Sequence, residues 1–204
     1  INPAARVTCI KPDGTTSCVL GTASGIHAWH SKHYIRRVTV LKTEPIFKYL
    51  QDKIPGLLED DWEKPNVQAK VTVPIKAPDK AILRDEPAIA LLERVKKFNE
   101  EWIQPGHIKG DNSHNVSATV TIKPDEWEEV GDWMWANREF YTGLSVLPFD
   151  GGSYIQTPFE ECDEATYNKL LKQCIGIDLT EVNEFEDNTS AKDNLACVSG
   201  ACAI

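Results

Sequence analysis

Ala5-Arg6-Val7-Thr8-Cys9-Ile10-Lys11-Pro12-Asp13-Gly14-Thr15-Thr16-Ser17-Cys18-Val19-Leu20 is the stretch on which the fold reading turns. Ala5 to Ile10 reads as a short apolar strand. Cys18 to Leu20 reads as the apolar opening of a helix, which runs out in the small residues Gly21 to Gly25. Between them lies a Gly/Thr/Ser loop. Strand, polar loop and helix start are how α/β proteins build an anion site, because exposed N–H groups and hydroxyls meet a phosphate at the positive end of the helix dipole. Pro12-Asp13-Gly14 is also an ordinary turn sequence, so the pattern alone leaves both readings open.

Outward from this loop, strands and helices alternate. Glu44 to Leu58 has helical periodicity through Ile46, Phe47, Leu50 and Ile54, interrupted by Pro55-Gly56. Val67 to Ile75 alternates as a strand. Pro87 to Trp102 is the clearest helix, with Ile89, Leu92, Val95 and Phe98 on one face. Asn115 to Ile122 alternates again, and Asp125 is the expected N-cap of a helix with Glu128 three residues on. Trp127, Trp133, Met134 and Trp135 on that helix read as core. Gly143 to Phe149 reads as a buried strand and Asp163 to Cys174 as a further helix. The order of elements predicts an α/β fold.

The 204 residues carry a net charge of −9, which argues against direct binding to nucleic acid or an anionic membrane. No apolar run approaches membrane-spanning length and no basic-then-apolar leader is present, so the reading is of a soluble protein. Six cysteines occur without any C-x-x-C pair. Cys9, Cys18, Cys162 and Cys174 are expected as buried free thiols, in keeping with a reducing cytoplasm. His27, His30 and His33 recur at spacings of three with no further ligand cluster, and read as polar surface or cleft residues rather than a metal site. Arg36 and Arg37 beside them are either anion contacts or a solvated face.

The end of the chain has a different character. Glu181 to Asn194 is polar and acidic, and is followed by Cys197-Val198-Ser199-Gly200-Ala201-Cys202-Ala203-Ile204. So few apolar residues predict a mobile tail. A dithiol on a tether can visit a buried site, exchange electrons there and return to an outside reductant. Ile1 is not a start methionine, so the chain is expected to be the C-terminal portion of something longer.

Seven features occur in order: Lys11 to Ser17, Ser24-Gly25-Ile26-His27, Val73-Pro74-Ile75-Lys76-Ala77-Pro78, Asn115-Val116-Ser117, Gly143 to Phe149, Pro158-Phe159-Glu160-Glu161, and the terminal dithiol. Together they resemble the C-terminal part of an adenosylcobalamin-dependent (class II) ribonucleoside-triphosphate reductase of the monomeric type. That family implies a ten-stranded α/β barrel, with residues 1–176 as its last portion and 177–204 as a flexible redox tail. It assigns Gly14, Thr15, Thr16 and Ser17 to the phosphates of a ribonucleotide substrate. The family more often has Ser where this chain has Asp13, and a carboxylate there would repel phosphate unless it turns away or caps the helix.

The resemblance also makes Cys197 and Cys202 the tail pair. In the implied chemistry a thiyl radical takes the 3′ hydrogen of the ribose, a carboxylate assists loss of the 2′ hydroxyl, and a barrel cysteine pair supplies two electrons. The tail thiols then reduce the barrel disulfide and are reset by thioredoxin or a similar dithiol. Adenosylcobalamin is the implied cofactor, with no residue of this chain assigned to it. The family's radical-bearing Asn-Pro-Cys-x-Glu loop is missing from the sequence, so the resemblance implies an inactive fragment whose partner is the N-terminal remainder of the enzyme.

Two other readings compete. A class I reductase would relay its radical through adjacent tyrosines on the late strand, where this chain has Leu147-Pro148, and Tyr141 and Tyr154 nearby read as packing residues. A non-catalytic module could use the dithiol only to bind thioredoxin.

Overall fold

The computed structural model describes residues 2–149, 155–183, 197–198 and 201–202. In chain order the elements are α1 (Thr16–Leu20), β1 (His33–Leu41), α2 (Pro45–Lys53), β2 (Leu58–Asp60), β3 (Gln68–Lys76) and α3 (Ala88–Phe98). They continue with β4 (Thr119–Ile122), α4 (Trp127–Ala136), β5 (Ser145–Pro148), β6 (Phe159–Glu161), α5 (Glu164–Gln173), β7 (Cys197–Val198) and β8 (Ala201–Cys202). Two compact units are distinguished among the described residues, the first from 2–29 and 82–149, the second from 30–81, 155–183 and the β7–β8 pair.

The first unit is a β4–α4–β5 crossover with α3 packed on it. Ala88, Leu91, Leu92 and Val95 recur at helical spacing and bury one face of α3. Leu92 and Val120 are fully excluded from solvent, and with Ile122 and Val130 they form the main core. A second cluster joins Val95, Ile103, Val116 and Ala118. β4 and β5 pair in parallel, Thr119 opposite Ser145 through Ile122 opposite Pro148. The periodic helix beginning at Pro87 is α-helical only to Phe98 and continues as one π-helical stretch, Asn99–Ile103.

Several sequence expectations are corrected here. Ala5 to Ile10 forms no strand but two single-residue bridges, Arg6 with His107 and Ile10 with Val116. Between them the Thr8 hydroxyl donates to the Trp102 carbonyl, a side-chain bond where a ladder would need main-chain pairing. α4 is capped by Glu126 in place of Asp125. The longer Glu126 side chain reaches two donors at once, the N–H groups of Ala88 and Lys123. Trp133 and Met134 pack on the core, but Trp127 and Trp135 are 46% and 75% exposed. At helical spacing of four they share an exposed face with Gly131.

The second unit is a four-stranded antiparallel sheet in the order β2-β3-β1-β6. β1 and β3 pair along nine residues, from His33 opposite Lys76 to Leu41 opposite Gln68. Pro74 lies beyond Val71, the last β3 residue that β2 reaches, where the strand is an edge and proline is tolerated. α2 contributes Phe47 to a cluster with Val40 and Ala69. Leu50, Ile54 and Leu57 form another, covered by Leu170, Cys174 and Ile177. Asp163 caps α5 by accepting from the Thr166 N–H at 2.7 Å.

His33 is buried against Tyr167, so the expectation of three surface or cleft histidines fails at this position. Arg37 is likewise no solvated arginine, since it holds Glu160 at 2.6 Å from within the sheet. The four thiols are free, but none is fully buried. Cys9 and Cys18 are exposed, one in the bridged segment and one on the outer side of a five-residue helix. Cys162 and Cys174 are half-buried, and burial raises both thiol pKa values. α and β elements alternate along the chain as expected, whereas a barrel is not formed by the described residues.

Candidate functional site

The loop from Lys11 to Ser17 is built around Asp13. Its Oδ1 accepts from the N–H groups of Thr15 at 2.9 Å and Thr16 at 2.7 Å, and its Oδ2 accepts from Ser17 N–H at 2.7 Å. Thr15 stands at the N-cap of α1 but makes no side-chain cap bond, so Asp13 does the capping from two residues earlier. The Thr15 N–H is the main cause that holds the Asp13 carboxyl below its ordinary value, against an opposing desolvation and with help from Ser17 and Thr16. Of the two escapes open to a carboxylate here, turning away or capping, the chain uses capping.

Three of the four expected phosphate-binding residues, Thr15, Thr16 and Ser17, therefore converge, but on a carboxylate. Ser17 is buried and its hydroxyl donates to the Asp13 carbonyl at 3.0 Å. Thr15 and Thr16 are exposed. Gly14 has open space where a Cβ would stand.

The loop is tied down from behind by residues whose role the sequence did not disclose. Ser24 Oγ accepts from Asp13 N–H at 2.8 Å and donates to the Asp13 carbonyl at 2.7 Å. Gly25 has φ +59°, and a Cβ there would stand 2.9 Å from the Lys11 carbonyl oxygen. That close approach of two backbone segments is why glycine is needed. His27 bonds the Ser24 carbonyl through Nδ1 and the Thr119 N–H through Nε2. The motif Ser24-Gly25-Ile26-His27 was visible in the sequence, but its function is a tertiary fact.

Asn115 serves the other side of β4. Its Nδ2 donates to the Gly143 carbonyl at 3.0 Å and its Oδ1 accepts from the Thr142 hydroxyl at 2.9 Å. Two quoted motifs are thereby joined ahead of the parallel pair. Tyr141 packs against Trp133 and donates its hydroxyl to the Met134 carbonyl. Tyr154 lies outside the described residues.

The remaining candidates are the tail cysteines, which belong to the second unit. β7 and β8 pair antiparallel with Cys197 directly opposite Cys202 and Val198 opposite Ala201. Residues directly opposed in an antiparallel pair have Cα atoms about 4.5–5.5 Å apart. A disulfide needs about 4.4–6.8 Å, so the backbone register is compatible with one. Gly200 and the acidic stretch 184–196 lie outside the described residues.

A cleft of about 170 Å³ is lined by Lys42, Phe47 and Leu58, and another of about 200 Å³ by Lys97, Phe98 and Trp102. Neither has the size for a corrin, and no group of three metal-ligating side chains occurs among the described residues. No helix among them is long and apolar enough to cross a membrane.

No protein-family model matches the chain. Curated relatives do. The adenosylcobalamin-dependent ribonucleoside-triphosphate reductase of Levilactobacillus brevis is 29% identical over 210 residues, which is 99% of this chain and 27% of that protein. The enzyme of the same name from Lactobacillus acidophilus is 26% identical over 209 residues, 100% of this chain and 27% of its own length. This chain is a homologue of one stretch of these reductases. A crystal structure of a B12-dependent (class II) ribonucleotide reductase superposes on 85% of this chain with a TM-score of 0.66, using 23% of its own residues at 24% identity. The chain thus spans about a quarter of the length of the curated relatives it matches, and its fold is similar to part of a class II reductase.

Proposed function

We propose that this chain is the C-terminal part of an adenosylcobalamin-dependent ribonucleoside-triphosphate reductase, and that it supplies the loop facing the substrate phosphates and the dithiol that re-reduces the active site. The observation that carries this is the end-to-end alignment with reductases of that name, 99% of the chain at 29% identity. The two-stranded parallel sheet β4–β5 is consistent with it. Parallel strands normally sit inside larger, covered sheets, and two alone are a small fraction of one. In the ten-stranded barrel that the resemblance implies, the N-terminal remainder would supply the neighbouring strands.

Within such an enzyme the residues of this chain have separable tasks. Thr15 and Thr16 would offer hydroxyl donors to the phosphates, while the N–H groups of Thr15, Thr16 and Ser17 become available only if Asp13 lets them go. Cys197 and Cys202 would pass two electrons and two protons to a barrel disulfide, becoming a disulfide themselves. Thioredoxin or a similar dithiol would then restore both thiols, leaving its own pair oxidised. Adenosylcobalamin, when bound, supplies the means of generating the radical.

A class I assignment is less well supported. β5 carries Leu147-Pro148 where a radical relay would want tyrosines, and the Tyr141 hydroxyl is engaged by Met134. The test is a chimera in which this chain replaces the matching quarter of the Levilactobacillus brevis reductase. Adenosylcobalamin-dependent reduction of a ribonucleoside triphosphate is the expected result. A folded chimera that forms mixed disulfides with thioredoxin yet never turns over would mean a thiol-partner module instead.

A further inference from the structure

We propose that His27 is a positioning residue, locked in its neutral Nδ1–H tautomer, that fixes the Asp13–Ser17 loop to the first residue of β4. The tautomer follows from its partners. A carbonyl oxygen only accepts, so Nδ1 at 2.8 Å from the Ser24 oxygen carries the proton. A main-chain N–H only donates, so Nε2 at 2.9 Å from the Thr119 nitrogen is the bare acceptor. Neither an imidazolium nor the other tautomer satisfies both contacts.

From His27 a continuous line of hydrogen bonds leads to the loop. The Ser24 carbonyl accepts a hydrogen bond from the imidazole Nδ1–H, and the Ser24 hydroxyl clasps both main-chain groups of Asp13. The Asp13 carboxylate in turn gathers the N–H groups of Thr15, Thr16 and Ser17. Gly25 keeps the two backbone segments at van der Waals distance beside this line. Ile26, next to His27, packs on both core clusters of the unit and denies the segment freedom to drift. The position of the loop is thereby referred to a buried strand through one imidazole ring. That the loop meets phosphate rests on the reading above, but the coupling of loop to strand does not.

The experiment is residue-resolved amide hydrogen exchange and imidazole 15N spectroscopy on the intact protein without nucleotide. The wild-type spectrum should show His27 protonated at Nδ1 alone. In His27→Ala, protection at Thr119 and at Thr15, Thr16 and Ser17 should fall together by about tenfold, while Val120 to Ile122 keep theirs. His27→Gln, which retains one donor and one acceptor, should recover most of the loss. A proton on Nε2 would overturn the proposal. So would a fall at Thr119 with the loop amides unmoved, or a glutamine variant no better than alanine. Adding a ribonucleoside triphosphate to the wild type judges the phosphate reading separately. If neither the loop amides nor the Thr15 and Thr16 side-chain resonances respond, that reading fails while the nucleotide-free comparison still decides the role of His27.

Discussion

Asp13 decides what the loop can accept. The three N–H groups that a phosphate would seek are already held by its carboxylate, and a phosphate arriving there would also meet like charge. Asp13→Ser removes the charge and keeps a capping oxygen. Equilibrium binding of a ribonucleoside triphosphate should then tighten by about tenfold, a modest share of what one close like-charge contact can cost. Weaker binding would mean that Asp13 organises the cradle instead of filling it. The same carboxylate sets an acid limit on the loop. Its folded pKa lies below the ordinary 3.8, so its contribution is complete above that value and is lost as pH falls through the lowered one. Amide protection at Thr15 to Ser17 should hold at about pH 5 and collapse below the ordinary carboxylate range, an acid step that Asp13→Asn should abolish. From sequence, the carboxylate could be flagged as a conflict with phosphate. Which escape it takes could not, because that depends on where three N–H groups point.

At the level of elements, legibility followed the strength of the pattern. α3, β3, α5 and the β4–α4–β5 run were readable because their apolar residues keep a clean period and their ends carry Pro, Gly or Asp, although β5, expected as a buried strand, is largely exposed. β1 was missed. Its burial pattern is not alternating, and Arg36-Arg37 in its middle reads as a polar surface until Glu160 and the Thr157 carbonyl are found beside Arg37. β6 is three residues long, too short for any period to register. Conversely Ala5 to Ile10 is apolar enough for a strand yet makes only isolated bridges, since pairing needs a partner edge that sequence cannot supply. The energetic centre of the first unit is Leu92, wholly buried on α3 against β4 and α4. Leu92→Ala should cost about 3 kcal/mol, as deletion of a fully buried leucine does where the site cannot collapse. Urea unfolding of the intact protein measures it. A loss below about 1 kcal/mol would mean that the core is far looser than its burial implies.

On the scale of the whole molecule, the proposed reductase role asks the Cys197–Cys202 dithiol to serve chemistry elsewhere. The register that sets Cys197 opposite Cys202 is compatible with a disulfide between them. A closed pair must be reopened from outside, whereas an active-site disulfide deep in a barrel can be reached either by the tail or by a small diffusible dithiol. These two routes separate on mutation. In the complete enzyme, Cys197→Ser or Cys202→Ser should abolish turnover driven by thioredoxin, because a single thiol can form a mixed disulfide but cannot resolve it. Turnover driven by dithiothreitol should persist at close to the wild-type rate, since that reductant bypasses the tail. If both activities vanish, the cysteines do more than carry electrons, and the tether account fails. If both survive, electrons enter by another path and the terminal pair is incidental to the reductase.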